Sequence, residues 1–146
     1  MRSWILIVLL MLSGVGAAED IVRSNPEGMT VSPRYSHLVR FDRMLFIAGQ
    51  VSLDAEGNVV GAGDMRAQLR QVMRNLETVL ASAGADFSDV VKVNIFTTDI
   101  ERFREAGDVY SDYVVGNPPA STLVQIDRLA RPVFLVEIEA IAIAPD

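Results

Sequence analysis

Two carboxylates near the C-terminus are the residues best suited by type and spacing to do chemistry. In Leu135-Val136-Glu137-Ile138-Glu139-Ala140-Ile141-Ala142, a strand sends Val136, Ile138, Ala140 and Ala142 to one face. Glu137 and Glu139 then share the other face, about 7 Å apart. Carboxylates so placed can take a proton from a water or return one to a leaving group. Spacing alone favours a solvated strand face, but Leu135 and Ile141 on the same face count against full wetting.

Other candidates carry less. Ser121 shares a strand face with Leu123 and Gln125, opposite Thr122 and Val124. No His or Lys near it in sequence could activate it as a nucleophile, so it reads as a hydroxyl that hydrogen-bonds a ligand. His37, the single histidine, reads as a structural or surface residue. Gly57, Gly61 and Gly63 lack the lysine and the spacing of a phosphate loop. With no cysteine and one histidine, the chain has no means for disulfides, thiolate catalysis, Cys-ligated zinc or a His-rich metal site. The expectation is a site without metal or cofactor.

The elements that must position these residues are legible from pattern. Residues 37–41 and 44–48 read as two strands joined at Asp42-Arg43, followed by a turn cluster at residues 54–58. Asp64 is a candidate N-cap for a helix whose Met65, Leu69, Val72, Met73, Leu76, Val79 and Leu80 recur at helical spacing, ending near Gly84. Residues 90–97 form a strand apolar on both faces, expected at the centre of a covered sheet. A second helix is expected from Asp99 to about Val114, stopped by Gly116-Asn117-Pro118-Pro119, with final strands at residues 120–126 and 135–142. The order ββαβαββ predicts an α/β (α+β) sandwich with its helices on one face of the sheet.

Size and charge bound the function. The 146 residues hold one domain, and a formal charge of −6 with a single lysine, Lys92, offers no basic surface for nucleic acid. Arg2, an apolar run from Trp4 to Leu12 and the small residues Ser13-Gly14-Val15-Gly16-Ala17-Ala18 read as a secretory signal peptide over residues 1–18. The run is far too short to span a bilayer, and no cysteine follows it for lipidation. Cleavage would leave a polar, aperiodic lead-in at residues 19–31 and a domain at residues 32–146. The expected destination is the periplasm or the exterior, with no membrane association after cleavage. A cysteine-free exported chain must draw its stability from core burial or oligomerisation.

Taken in order, Ser32-Pro33-Arg34-Tyr35-Ser36, Phe46-Ile47-Ala48-Gly49-Gln50-Val51, the helix core from Gln68 to Leu76, Ala83-Gly84-Ala85, Val90-Val91-Lys92-Val93, Pro119-Ala120-Ser121-Thr122 and Val136-Glu137-Ile138-Glu139-Ala140-Ile141-Ala142 form a recognisable series. The chain resembles the RidA/YjgF family of reactive-intermediate deaminases over roughly residues 32–145. The resemblance implies a chorismate-mutase-like fold and a homotrimer with ligand pockets at its subunit interfaces. It also implies cofactor-free hydrolysis of small 2-imino or enamine acids to 2-oxo acids and ammonia.

Residue by residue, Tyr35 matches the family's pocket tyrosine, Gly49 the glycine of its strand-end Ser-Gly pair, and Glu137 its glutamate. Ala48 stands where that pair usually has serine, Gly107 where asparagine is common, and Leu123 where cysteine is common. Ser121 occupies the place of the arginine that grips the substrate carboxylate in deaminating members. A neutral hydroxyl replaces a bidentate, charge-assisted fork there. Arg34 and Arg128 are the cations to consider in its stead, and the region Arg128-Leu129-Ala130-Arg131-Pro132 resembles subgroups that lack the arginine. The resemblance therefore leaves two readings. One is an imine or enamine hydrolase in which Glu137 positions water while Tyr35 and Ser121 bind substrate. The other is a non-catalytic trimer that binds a small metabolite in the same pocket.

Overall fold

The computed structural model describes residues 20–145, so the signal segment at residues 1–18 lies outside the described residues. Within them the elements run β1 (Val22–Ser24), β2 (Leu38–Phe41), β3 (Met44–Gln50), α1 (Met65–Ser82), β4 (Val90–Thr97), α2 (Ile100–Glu105), α3 (Gly107–Ser111), β5 (Ala120–Gln125) and β6 (Val136–Ile143). The strands form one mixed sheet in the order β1-β2-β3-β6-β4-β5, antiparallel except for the β4–β5 pair. A parallel pair needs a crossover, which α2 and α3 supply.

The helix α1 forms where its pattern predicts. The Asp64 carboxylate accepts the Ala67 N–H at 3.1 Å to cap its start. Gly84 takes φ +72° at its end, which lets the Ala85 N–H reach Leu80 O at 3.1 Å. Leu69, Val72, Met73, Leu76, Val79 and Leu80 pack into one core with Leu45, Ile47, Val93, Ile95, Val136 and Ile138 of the sheet. Each such side chain contributes about 1.5–3 kcal/mol by leaving water.

Three expectations need correction. The helix expected from Asp99 to Val114 is interrupted: Asp99 caps α2, but Ala106 leaves helical geometry (φ −93°, ψ 6°) and α3 starts anew at Gly107. A glycine costs backbone entropy inside a helix, which makes this the natural place to break. The segment read as aperiodic contains β1, whose three exposed residues pair with β2; a strand that short shows no period in sequence. Finally, β4 is interior to the sheet but covered on one face alone. Val93, Ile95 and Thr97 are buried toward the helices, whereas Lys92, Asn94 and Phe96 lie half-buried on the opposite face.

The helices thus leave one sheet face open. Val39, Phe46 and Ile141 are opposed across β2, β3 and β6 on that face, as are Phe41, Met44 and Ile143. Met44, Phe46 and Ile143 are each 41% exposed. A contiguous apolar surface of this kind on a small domain marks a place where something else packs.

Candidate functional site

Alternation along β6 puts Val136, Ile138, Ala140 and Ala142 under α1 and turns Glu137 and Glu139 to the open face. The two carboxylates meet different surroundings. Asn94 on β4, directly opposite Glu139, donates from Nδ2 to its Oε1 at 2.7 Å. Glu137 lies opposite Phe96 and accepts no hydrogen bond among the described residues. Burial, and secondarily the Glu139 charge, pushes the Glu137 carboxyl above its ordinary pKa. The paired acids are therefore chemically unequal, one tied down and one available for proton transfer.

A bulge in β3 opens the space in front of Glu137. Ile47 pairs with Ala140 but Gln50 with Ile138, so Ala48 and Gly49 take the place of a single opposed residue. Gly49 is thereby brought against the Glu137 side chain, where a Cβ would collide with Oε1. The distortion is held by the Ala48 N–H donating to His37 O at 3.0 Å and by Gln50 Nε2 donating to Ala48 O at 2.8 Å.

His37 is the hub of this corner, as a structural residue. It is buried, its backbone N–H donates to Asn25 Oδ1 at 3.0 Å, and its Nε2 lies 2.7 Å from Thr30 O. A carbonyl only accepts, so the proton is assigned to Nε2, which leaves Nδ1 to accept from Gln50 Nε2 at 3.2 Å. The Tyr35 ring stands edge-on to the imidazole, with centroids 5.3 Å apart. Tyr35, Ala48, Gly49 and Glu137 then line one cavity of about 680 Å³ together with Arg131 and Phe134.

The remaining predicted site residues are elsewhere. Ser121 and Leu123 on β5 are opposed to Val93 and Ile95, on the helix side of the sheet, and β4 lies between them and Glu137. Gly107 begins α3 on that same side. Next to Ser121 is the enclosed Tyr110 hydroxyl, which among the described residues has no partner in strict hydrogen-bonding geometry. Burial raises its pKa, and the nearby Ser121 hydroxyl opposes that shift. In one copy of the chain the predicted residues therefore fall into two separate groups: Tyr35, Ala48, Gly49 and Glu137 on one cavity, and Gly107, Ser121 and Leu123 on the helix side of the sheet. Among the described residues no group of three or more His, Asp or Glu side chains could hold a metal ion.

Residues 27–144 match the protein family described as Endoribonuclease L-PSP. The chain belongs to this family, the RidA/YjgF proteins. Protein DfrA of Myxococcus xanthus is 40% identical over 129 residues, 87% of this chain and 97% of that protein. A 2-iminobutanoate/2-iminopropanoate deaminase of Mus musculus is 37% identical over 109 residues, 75% of this chain and 80% of the relative. The crystal structure of a Rid-family protein from Yersinia pestis superimposes with a TM-score of 0.77 at 33% identity, covering 84% of this chain and 98% of that one.

In this RidA/YjgF chain the residues that sequence reasoning missed are those that brace the site. Gln68, fully buried on α1, accepts the Leu135 N–H at 2.9 Å and donates to Val133 O at 2.8 Å and Gly61 O at 3.2 Å. Asn75, one turn pair further on, donates to Val51 O and Leu53 O. Both are polar residues on the apolar stripe of α1, and that mismatch was the available signal. Arg131 and Phe134 come from a loop without periodicity: Arg131 lies in the Arg128-to-Pro132 stretch that resembles arginine-lacking subgroups, and Phe134 gave no signal.

Proposed function

We propose that the protein is a cofactor-free hydrolase of small reactive imines and enamines, working in pockets formed between three copies of the chain. The observation that carries this is the Glu137 carboxylate, half-buried in a cavity and without a hydrogen-bond donor among the described residues. Glu137 takes a proton from a bound water while the water oxygen bonds to the imine carbon and the C=N π pair moves to nitrogen. That proton passes from Glu137 to the nitrogen to give the carbinolamine; Glu137 then takes the hydroxyl proton and delivers it to the same nitrogen, so that ammonia leaves as the former O–H pair forms the C=O π bond. A raised pKa makes the carboxylate a stronger base toward water, and its conjugate acid returns the proton. An enamine enters the same sequence after protonation at carbon gives the imine.

The split of these residues into two groups and the open apolar sheet face support a trimer in which Gly107, Ser121 and Leu123 of one copy form a half-site that closes the Glu137 cavity of the next. The long edge strand β5, whose outer side has no partner among the described strands, suits such an interface. The net charge of −6 makes RNA a poor fit as substrate. Ser121 offers one neutral donor where the deaminating relatives have arginine, so 2-imino acids gain little orientation from this position. Ser121→Arg should strengthen carboxylate binding by about 1–3 kcal/mol, roughly 5- to 150-fold.

We further propose export, with cleavage at or near Glu19. Because Trp4 is the only tryptophan, the exported protein should lack indole emission and the mass of residues 1–18. The functional test is oxo-acid and ammonia release by residues 19–146 from imines generated in situ by an amino-acid oxidase. Slow release by the wild type, faster release by Ser121→Arg and loss of release when Glu137→Gln is added are expected. Ligand binding without acceleration would favour the non-catalytic binding role instead.

A further inference from the structure

The cavity that holds Glu137 is also lined by two arginines. Arg34 lines it from the segment leading into β2, and Arg131 from the loop between β5 and β6. Neither forms an ion pair with a carboxylate among the described residues. Both arginines and Glu137 line the same cavity of about 680 Å³. Arg128, three residues before Arg131, does not line it.

Of the two, Arg131 is the better held. Its guanidinium stacks 5.5 Å from the centroid of the buried Phe134 ring. The Phe134 N–H donates to Arg131 O at 3.1 Å, and Gln68 grips the peptides on either side of Phe134. A cation already stacked on a fixed turn loses little freedom when it takes a carboxylate, and its fork matches the two oxygens. On the other half-site, Ser121 is uncharged, Leu123 is apolar, and a Cβ built on Gly107 would meet nothing within contact distance.

We propose that Arg131 is the anion-gripping residue of this site: the substrate is an imine or enamine bearing a carboxylate held on the same half of the pocket as Glu137. Ser121, Leu123 and Gly107 of a neighbouring copy face its uncharged end. The assignment rests on the Glu137 cavity being the substrate site.

The test is calorimetric binding of 2-oxobutanoate, a stable product-like acid, and of the neutral 2-oxobutanamide to residues 19–146. The wild type should prefer the acid; Arg131→Gln should weaken the acid about tenfold or more and leave the amide within about twofold, and Arg128→Gln should change neither. Equal wild-type affinity for acid and amide overturns the proposal, as does acid binding that survives Arg131→Gln. Parallel loss of both ligands, the mark of a collapsed pocket, overturns it too. Imine turnover is read separately. Arg131-dependent acid binding in a wild type without turnover keeps the anchor and removes the hydrolase. Turnover indifferent to Arg131→Gln does the reverse.

Discussion

The Glu137 side chain lies against the backbone of Gly49, so that a Cβ at position 49 would strike Oε1 and come within 2.8 Å of Cδ. What a methyl group displaces there is the flexible end of the side chain proposed to move protons. Gly49→Ala should therefore lower stability by less than about 1 kcal/mol and yet lower kcat at least about tenfold, since catalytic groups tolerate little displacement. Denaturant titration beside steady-state kinetics checks both halves, and equal damage to stability and turnover would contradict them.

Glu137 also predicts a pH dependence with a definite sign. Burial and the Glu139 charge raise its folded-state pKa. Across the interval between the ordinary and the raised value the folded chain binds more protons than the unfolded one. This carboxyl thus contributes stability that is fully present below the ordinary carboxylate range and is lost as pH rises through the folded value. Glu137→Gln removes that loss, so its melting temperature relative to wild type should be higher at about pH 7 than at about pH 4. Turnover should fall by about 10²–10⁴-fold at the same time. A melting difference that does not vary with pH would rule out the raised value.

Gln68 couples the helix to the site. Gln68→Leu leaves the Leu135 N–H and the Val133 and Gly61 carbonyls without their side-chain partner. Stability should fall by about 2–4 kcal/mol, and ligand binding should weaken beyond what partial unfolding accounts for, because the Arg131–Phe134 turn loosens. Binding measured under conditions where the variant is fully folded separates the two effects.

Phe46 tests the assembly. Its ring is 41% exposed on the open sheet face and adds little to the core of one copy. Phe46→Asp should leave the folded chain intact by circular dichroism while sedimentation shifts from three copies to one. Turnover should disappear with the shift, since the second half-site leaves with the neighbour. An active monomer would refute the shared pocket.

Much of this protein is legible along the chain because its physics is local. The spacing of apolar residues from Met65 to Leu80 and the Asp64 cap define α1, and the alternation in residues 136–142 turns Glu137 away from the core. Gly107 marks the α2–α3 break only in retrospect, and β1 pairs too briefly to leave a pattern. Likeness to the RidA/YjgF family named Tyr35, Gly49 and Glu137, and the fold brings them to one cavity. Pattern alone could not decide which of two acids on one strand face is left without a hydrogen bond among the described residues. That depends on burial and on a donor 45 residues away, Asn94, which satisfies Glu139 and leaves Glu137 bare. Nor could it decide that Arg131 joins Glu137 while Ser121 is held on the opposite side of the sheet. Charge environment and the side of the sheet a residue occupies are set by which strands pair and which face a residue takes, and those are properties of the packed chain.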